Sequence, residues 1–228
     1  MGFRESAGAV ARGVLKRLLM RVLGFVIAVV IGLGYLWYKR SQLELGARMK
    51  ELSSDPRFGT RRQQAGEDDG LRFVSELSRR GMHRLDDSTL VRNAALMARI
   101  LNATDIEQCS QLARAPRLDD VLSDVNALRA IDSVTTQQWI DLTFLAAHRE
   151  LEERPTKYVR DAQATEAMSA LLERLPASQR DRLVRTLSDP AGATAVDACW
   201  AGRTLYGGVA KLAEPQRSWL ARAALPDA

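Results

Sequence analysis

The chain has 228 residues, and 46% of them are apolar, which is enough for a packed core and excludes wholesale disorder. Its formal net charge is +5, and part of the basic excess lies in the first forty residues, around an apolar run. We assign that basicity to contact with anionic lipid headgroups, and we expect no nucleic-acid partner.

The first predicted element is a basic tail over residues 1–21. Its apolar and basic residues are interspersed as in an amphipathic helix that lies on a membrane surface or extends a membrane span. We predict that this tail is cytoplasmic and leads into the apolar segment that follows.

The second element is an uncharged apolar run from Val22 to Tyr38. With the apolar residues just before it, the run approaches the ~20 residues that a helix needs to cross a bilayer. We therefore predict one transmembrane helix over residues 22–38, embedded in the lipid bilayer. A cleavable signal peptide would end at a small-residue site, whereas this run ends in bulky aromatic residues. A buried core helix of a soluble protein rarely combines such a run with basic flanks.

Aromatic and basic residues mark the ends of the predicted span. Aromatic rings favour the headgroup layer, and cationic side chains extend outward to the phosphates. The predicted membrane-interface residues are Arg21, Tyr35, Trp37, Tyr38, Lys39 and Arg40.

The orientation of the span is not decided by its basic flanks, which carry equal numbers of basic residues within fifteen positions. The downstream flank is diluted by Glu44 and Glu51, and the short tail adds the α-amino group. We therefore predict a cytoplasmic N-terminus and an exported C-terminal domain. Only five of the 33 basic residues are Lys, a composition typical of GC-rich bacteria, so we expect the inner membrane and a periplasmic domain.

Small residues recur every four positions along the predicted span, at Gly24, Ala28 and Gly32. This spacing places them on one helix face and lets two helices approach closely, which predicts a homodimer through the span. Small residues are also common in membrane spans, so composition alone is the alternative explanation.

Residues 39–69 are predicted to form a stalk and a linker, because Pro, Gly, Ser and Asp cluster in this range. The soluble domain is predicted over residues 70–228. Its fold class is all-α, a compact bundle of about seven or eight helices, because apolar residues recur there at helical spacing. Capping boxes are predicted at Thr104, Thr135 and Ser178. The clearest apolar stripes are Leu90, Ala94, Met97 and Leu101, and Ile140, Phe144, Ala147 and Leu151.

Cys109 and Cys199 are the only two cysteines, and each shares the apolar face of a predicted helix. They could be two buried small hydrophobes. In an exported domain an even count favours a disulfide, which would join the early helices to the late ones, and we predict this bridge. No C-x-x-C pair is present to support a thioredoxin-like redox role.

No motif in the sequence indicates a catalytic residue, a metal site or a cofactor, and we predict none. The two histidines, His83 and His148, are too few for a transition-metal site. We expect an adaptor or accessory subunit that binds other envelope proteins, rather than a catalyst. The alternative is a membrane-tethered hydrolase that uses carboxylate chemistry. Its candidate acids are the pairs Asp68/Asp69, Asp86/Asp87 and Asp119/Asp120, which lie in turn-like or helix-start contexts.

Overall fold

The computed structural model of the chain describes residues 43–114 and 131–225. Contacts divide the chain into two units, Met1–Gly46 and Ala47–Ala228. Of the first unit only residues 43–46 are described, and they are helical. In the described part of the second unit every regular element is also a helix, which confirms the predicted all-α class.

Ten helices are described, and eight of them begin at Gly70 or later, where the sequence predicts about seven or eight. A single 3-10 turn, Met82–Arg84, separates the third helix from the fourth. The helices are α1 (43–53), α2 (Pro56–Ala65), α3 (Gly70–Gly81), α4 (Asp87–Ala103), α5 (Ile106–Arg114), α6 (Ser133–Leu151), α7 (Asp161–Leu172), α8 (Ala177–Ser188), α9 (Ala195–Val209) and α10 (Gln216–Ala223).

The predicted tail, residues 1–21, and the predicted transmembrane helix, residues 22–38, lie outside the described residues. Among the helices that are described, none is long and apolar enough to cross a membrane. The span and its orientation therefore stay predictions.

The range predicted as a stalk and linker, residues 39–69, is largely helical where it is described. The second compact unit begins at Ala47, and the domain boundary at Gly70 stays a prediction. Phe58 of α2 is buried and meets Phe73 edge-on, with ring centroids 5.1 Å apart. Pro56 and Gly66, which suggest a loop in the sequence, begin and end α2, because Pro fits the first helical turn and Gly66 adopts the left-handed C-cap with φ 63°.

The core is built around α4, which packs against α6, α9 and α10, while α3 packs against α6 and α5 against α9. Both predicted apolar stripes face this core, because a period of 3.6 residues brings their side chains to one face of each helix. Every member of the two stripes is at most 3% exposed: Leu90, Ala94, Met97 and Leu101 on α4, and Ile140, Phe144, Ala147 and Leu151 on α6.

Two helix pairs approach each other closely at glycines. A Cβ atom on Gly81 of α3 would collide with the backbone carbonyl of Ala146 in α6. A Cβ atom on Gly202 of α9 would lie 2.7 Å from the Cβ atom of Ala113 in α5. The absence of a side chain at these two positions therefore sets the distance between the packed helices.

Aspartates precede three of the long helices and accept hydrogen bonds from their first N–H groups. Asp69 accepts from the backbone of Leu71 at 2.9 Å, Asp86 from Thr89 at 2.7 Å, and Asp132 from Thr135 at 2.9 Å. The capping box predicted at Thr135 is therefore displaced: the helix begins earlier, and Asp132 is its cap.

Candidate interaction surface

Cys109 and Cys199 form a disulfide, as the sequence predicts. The bond joins α5 to α9 across 90 residues, with the two Cα atoms 5.1 Å apart. Both cysteines are at most 2% exposed, so the bridge lies inside the α5–α9 contact. Its position makes it a structural cross-link rather than an accessible redox pair.

The two histidines lie at separate places in the fold. His83 is buried, and its ring lies against that of Tyr158 in a tilted arrangement, with a centroid distance of 5.2 Å. His148 is half-buried on α6. Across residues 43–114 and 131–225, no group of three or more His, Cys, Asp or Glu side chains is placed to hold a metal ion.

One acid of each described pair caps a helix, Asp69 at α3 and Asp86 at α4, while Asp87 forms an ion pair with Arg222. Hydrogen bonds from the Ser88 hydroxyl and the Thr89 N–H lower the pKa of Asp86 to about 2. A general acid requires the opposite, a carboxyl pKa that is raised towards neutrality. The third pair, Asp119/Asp120, lies outside the described residues.

An open groove runs between α4 and α6, with a volume of about 360 Å³. Its floor is Leu96, which is 3% exposed, and its apolar wall includes Leu145, which is 36% exposed. We call this surface the α4/α6 groove. Its lining consists of Thr89, Arg92, Asn93, Ala95, Leu96, Arg99, Gln138, Asp141, Leu142 and Leu145.

The charged rim of the α4/α6 groove is predominantly basic. Arg92 donates to the Thr89 hydroxyl at 3.0 Å, and Arg99 donates to the amide oxygen of Gln138 at 2.6 Å. Within the described ranges neither guanidinium forms an ion pair with a carboxylate. The acid of the groove, Asp141, is already neutralised by Arg48 at 2.7 Å.

None of the groove residues is among the site residues predicted from the sequence. Leu142 and Leu145 lie outside the buried stripe of α6, so that helix carries apolar residues on a second face. Such a second stripe is a detectable signal, since a helix that packs on one side only needs one apolar face. The sequence does not indicate that Arg92 and Arg99 form no ion pair with a carboxylate, because ion pairing depends on tertiary contacts.

Two other cavities offer weaker candidates. One of about 620 Å³ lies between α2 and α3, but its charges are paired, for example Glu76 with Arg79 and Arg80 at 2.8 and 3.0 Å. Another of about 340 Å³ lies among α5, α8, α9 and α10. Its walls include Arg114 and Leu225, the last residues of the two described ranges.

The predicted residues of the membrane span lie outside the described residues. Comparison of the chain with protein-family models, curated proteins and solved structures yields no match. The function therefore has to be inferred from the chain's own residues. The undescribed site residues are the interface set Arg21, Tyr35, Trp37, Tyr38, Lys39 and Arg40 and the dimer face Gly24, Ala28 and Gly32.

Proposed function

We propose that this chain is a single-pass inner-membrane protein whose exported helical domain binds other envelope proteins, as an adaptor or accessory subunit. The apolar run from Val22 to Tyr38 supports the anchor, because its length and flanks fit a bilayer. A homodimer through Gly24, Ala28 and Gly32 forms part of the proposal.

The observation that carries the exported placement is the disulfide between Cys109 and Cys199. Disulfides persist in oxidising compartments such as the periplasm and are rare where thiols are kept reduced. The binding role is supported by the α4/α6 groove, which is lined by the partly exposed Leu145 and by Arg92 and Arg99. In the described part of the chain neither arginine forms an ion pair with a carboxylate.

The orientation is tested with alkaline phosphatase fused after Ala228. We expect the fusion to be active, because this enzyme needs an oxidising compartment to form its own disulfides. A cytoplasmic reporter at the same position serves as the control. Activity of that reporter alone would reverse the proposed orientation.

The binding role is tested by crosslinking in intact cells, followed by purification of the full-length chain. The matched control is the anchor, residues 1–46, fused to an unrelated soluble domain. We expect specific envelope proteins to be enriched with the full chain but not with this control. Identical protein profiles from the two samples would contradict an adaptor role.

A further inference from the structure

We propose that the α4/α6 groove binds an acidic amphipathic helix of the partner protein, with the partner's carboxylates on Arg92 and Arg99. This inference rests on the proposed binding role and adds to it a site and the chemistry of the partner. Recognition of this kind places the apolar face of a helix in a groove between two helices.

The spacing of the two arginines determines what can bind. Arg92 and Arg99 are seven residues apart on α4, which is about two helical turns or ~10 Å along the axis. Ala95, which is exposed, and the buried Leu96 lie between them. A helix lying along the groove therefore matches this surface when its acidic residues are also about two turns apart and its apolar residues lie between them.

The charges favour an acidic partner over a basic one. Arg92 and Arg99 are both exposed, and the groups to which they donate hydrogen bonds, Thr89 and Gln138, are neutral. In addition to the hydrogen bonds of the cap, each arginine lowers the pKa of a nearby helix-capping carboxyl group, Arg92 that of Asp86 and Arg99 that of Asp132, but neither forms an ion pair with it. Carboxylates from a partner would therefore form new charge-assisted hydrogen bonds without breaking an existing ion pair. A basic helix would face the two arginines and gain little from Asp141, which Arg48 already occupies.

The apolar lining provides the contact that excludes water. Leu142 is half-buried, Leu145 is 36% exposed, and the buried Leu96 lines the same groove. Apolar side chains of a partner helix would cover these leucines and exclude water from the centre of the contact. The two arginines would pair with the partner's carboxylates at the polar rim. The groove volume of about 360 Å³ suits a few such side chains.

The first test measures direct binding to the full chain in detergent micelles. The probe is a fluorescent helical peptide of about 18 residues, with leucines on one face and glutamates about two turns apart. The control peptide carries lysines in place of the glutamates. We expect the glutamate peptide to bind at least ten times more tightly, and this preference to be reversed in the R92E/R99E double variant.

The control protein is R185E, a charge reversal at an exposed arginine of α8, and it should bind like the native chain. Equal binding of both peptides to the native chain would overturn the inference. An unchanged preference in R92E/R99E would also overturn it. Loss of glutamate-peptide binding in R185E as well would assign the effect to net charge and count against the groove.

The second test places a photocrosslinking amino acid at Leu145 in intact cells, with Val196 on α9, 53% exposed, as the control position. We expect crosslinks from position 145 to a partner segment that has acidic and apolar residues at helical spacing, and at least a tenfold loss of them in R92E/R99E. Crosslinks to lipid, to a second copy, or to residues 115–130 of the same chain would overturn the inference. A partner captured only at other positions would leave the binding role intact but exclude the groove, whereas no partner at any position would contradict the binding role itself.

Discussion

Arg222 in the last helix forms an ion pair with Asp87 in the first turn of α4, although 135 residues separate the two. The Arg222 side chain is 5% exposed. Its guanidinium also donates to the carbonyl oxygen of Leu85 at 3.0 Å and to that of Lys157 at 2.8 Å. One side chain thus joins α10 to the start of α4 and to the connection between α6 and α7.

Two further arginines bind backbone carbonyls in the same way. Arg203 of α9 donates to the carbonyls of Leu101 at 2.8 Å and Thr104 at 3.0 Å, at the end of α4. Arg114 donates to two carbonyls in the loop before α9. A planar guanidinium can hold two or more carbonyls in fixed directions, which an ammonium group does less well. Binding of backbone carbonyls by guanidinium groups is therefore a second reason for the excess of Arg over Lys, beside a GC-rich genome.

The first prediction concerns this cross-chain contact. Arg222→Lys keeps the positive charge but cannot reach all the acceptors of the guanidinium, so we expect a loss of about 1–3 kcal/mol in the free energy of unfolding. The measurement is denaturant unfolding of the full chain in detergent, followed by circular dichroism. Arg185→Lys, at an exposed site, is the control and should change stability by less than about 0.5 kcal/mol. Equal effects from the two variants would refute the structural role of Arg222.

The second prediction concerns the α3–α6 contact. Gly81→Ala should destabilise the protein by about 1–3 kcal/mol, because its Cβ atom would meet the backbone carbonyl of Ala146 and push the helices apart. Gly59→Ala is the matched control, since a Cβ atom there meets nothing within 4 Å on the helix α2. That variant should stabilise the protein by about 0.5–1 kcal/mol through helix propensity. A lower melting temperature for Gly81→Ala and a higher one for Gly59→Ala would support the contact. A higher melting temperature for both variants would contradict it.

The third prediction concerns the pH dependence of the Asp86 cap. The pKa of Asp86 is about 2 in the folded chain, against about 3.9 for an unfolded aspartate. Because the folded pKa is the lower one, the stabilisation by the carboxylate is complete above pH ~4 and is lost as the pH falls towards ~2. Asp86→Asn keeps a capping oxygen without a titrating group, so the native chain should lose its advantage over this variant across that window. A stability difference that does not change with pH would count against the charged cap.

Features of the fold that arise from local spacing along the chain are predictable from the sequence. The apolar stripes of α4 and α6 were predicted correctly, because helical periodicity alone brings Leu90 and Leu101, or Ile140 and Leu151, into the core. Pro56 and Gly66 lie at the ends of α2 rather than in a loop, because Pro and Gly mark helix ends as well as loops. The domain boundary at Gly70 stays a prediction.

The basic charge of the groove, unlike its apolar stripe, could not be predicted, because it depends on which charged residues find partners. Arg48 and Asp141 are 93 residues apart in the chain, and nothing near either residue indicates their ion pair. Only the packed structure shows that Asp141 is neutralised while Arg92 and Arg99 contact neutral groups. The basic character of the groove is therefore a tertiary property.

The last prediction concerns the disulfide, because it connects the fold with the proposed location of the domain. Closing a loop of 90 residues by the Cys109–Cys199 bond should stabilise the folded chain by about 4–5 kcal/mol in the chain-entropy model. That amount is comparable to a large part of the net stability of a typical domain, which is about 5–15 kcal/mol. Cys109→Ala should therefore lower the melting temperature strongly, as should reduction of the native chain.

A double-mutant cycle separates the bond from the packing of the two side chains. If the bond exists, Cys109→Ala already removes it, so adding Cys199→Ala should cost much less than Cys199→Ala costs in the native chain. Additive effects would indicate two independent buried thiols. Thiol labelling of protein from unreduced cells gives the direct readout: we expect no labelling of either cysteine after denaturation without reductant. Two labelled thiols would refute the bridge, and they would also remove the main structural support for an exported domain.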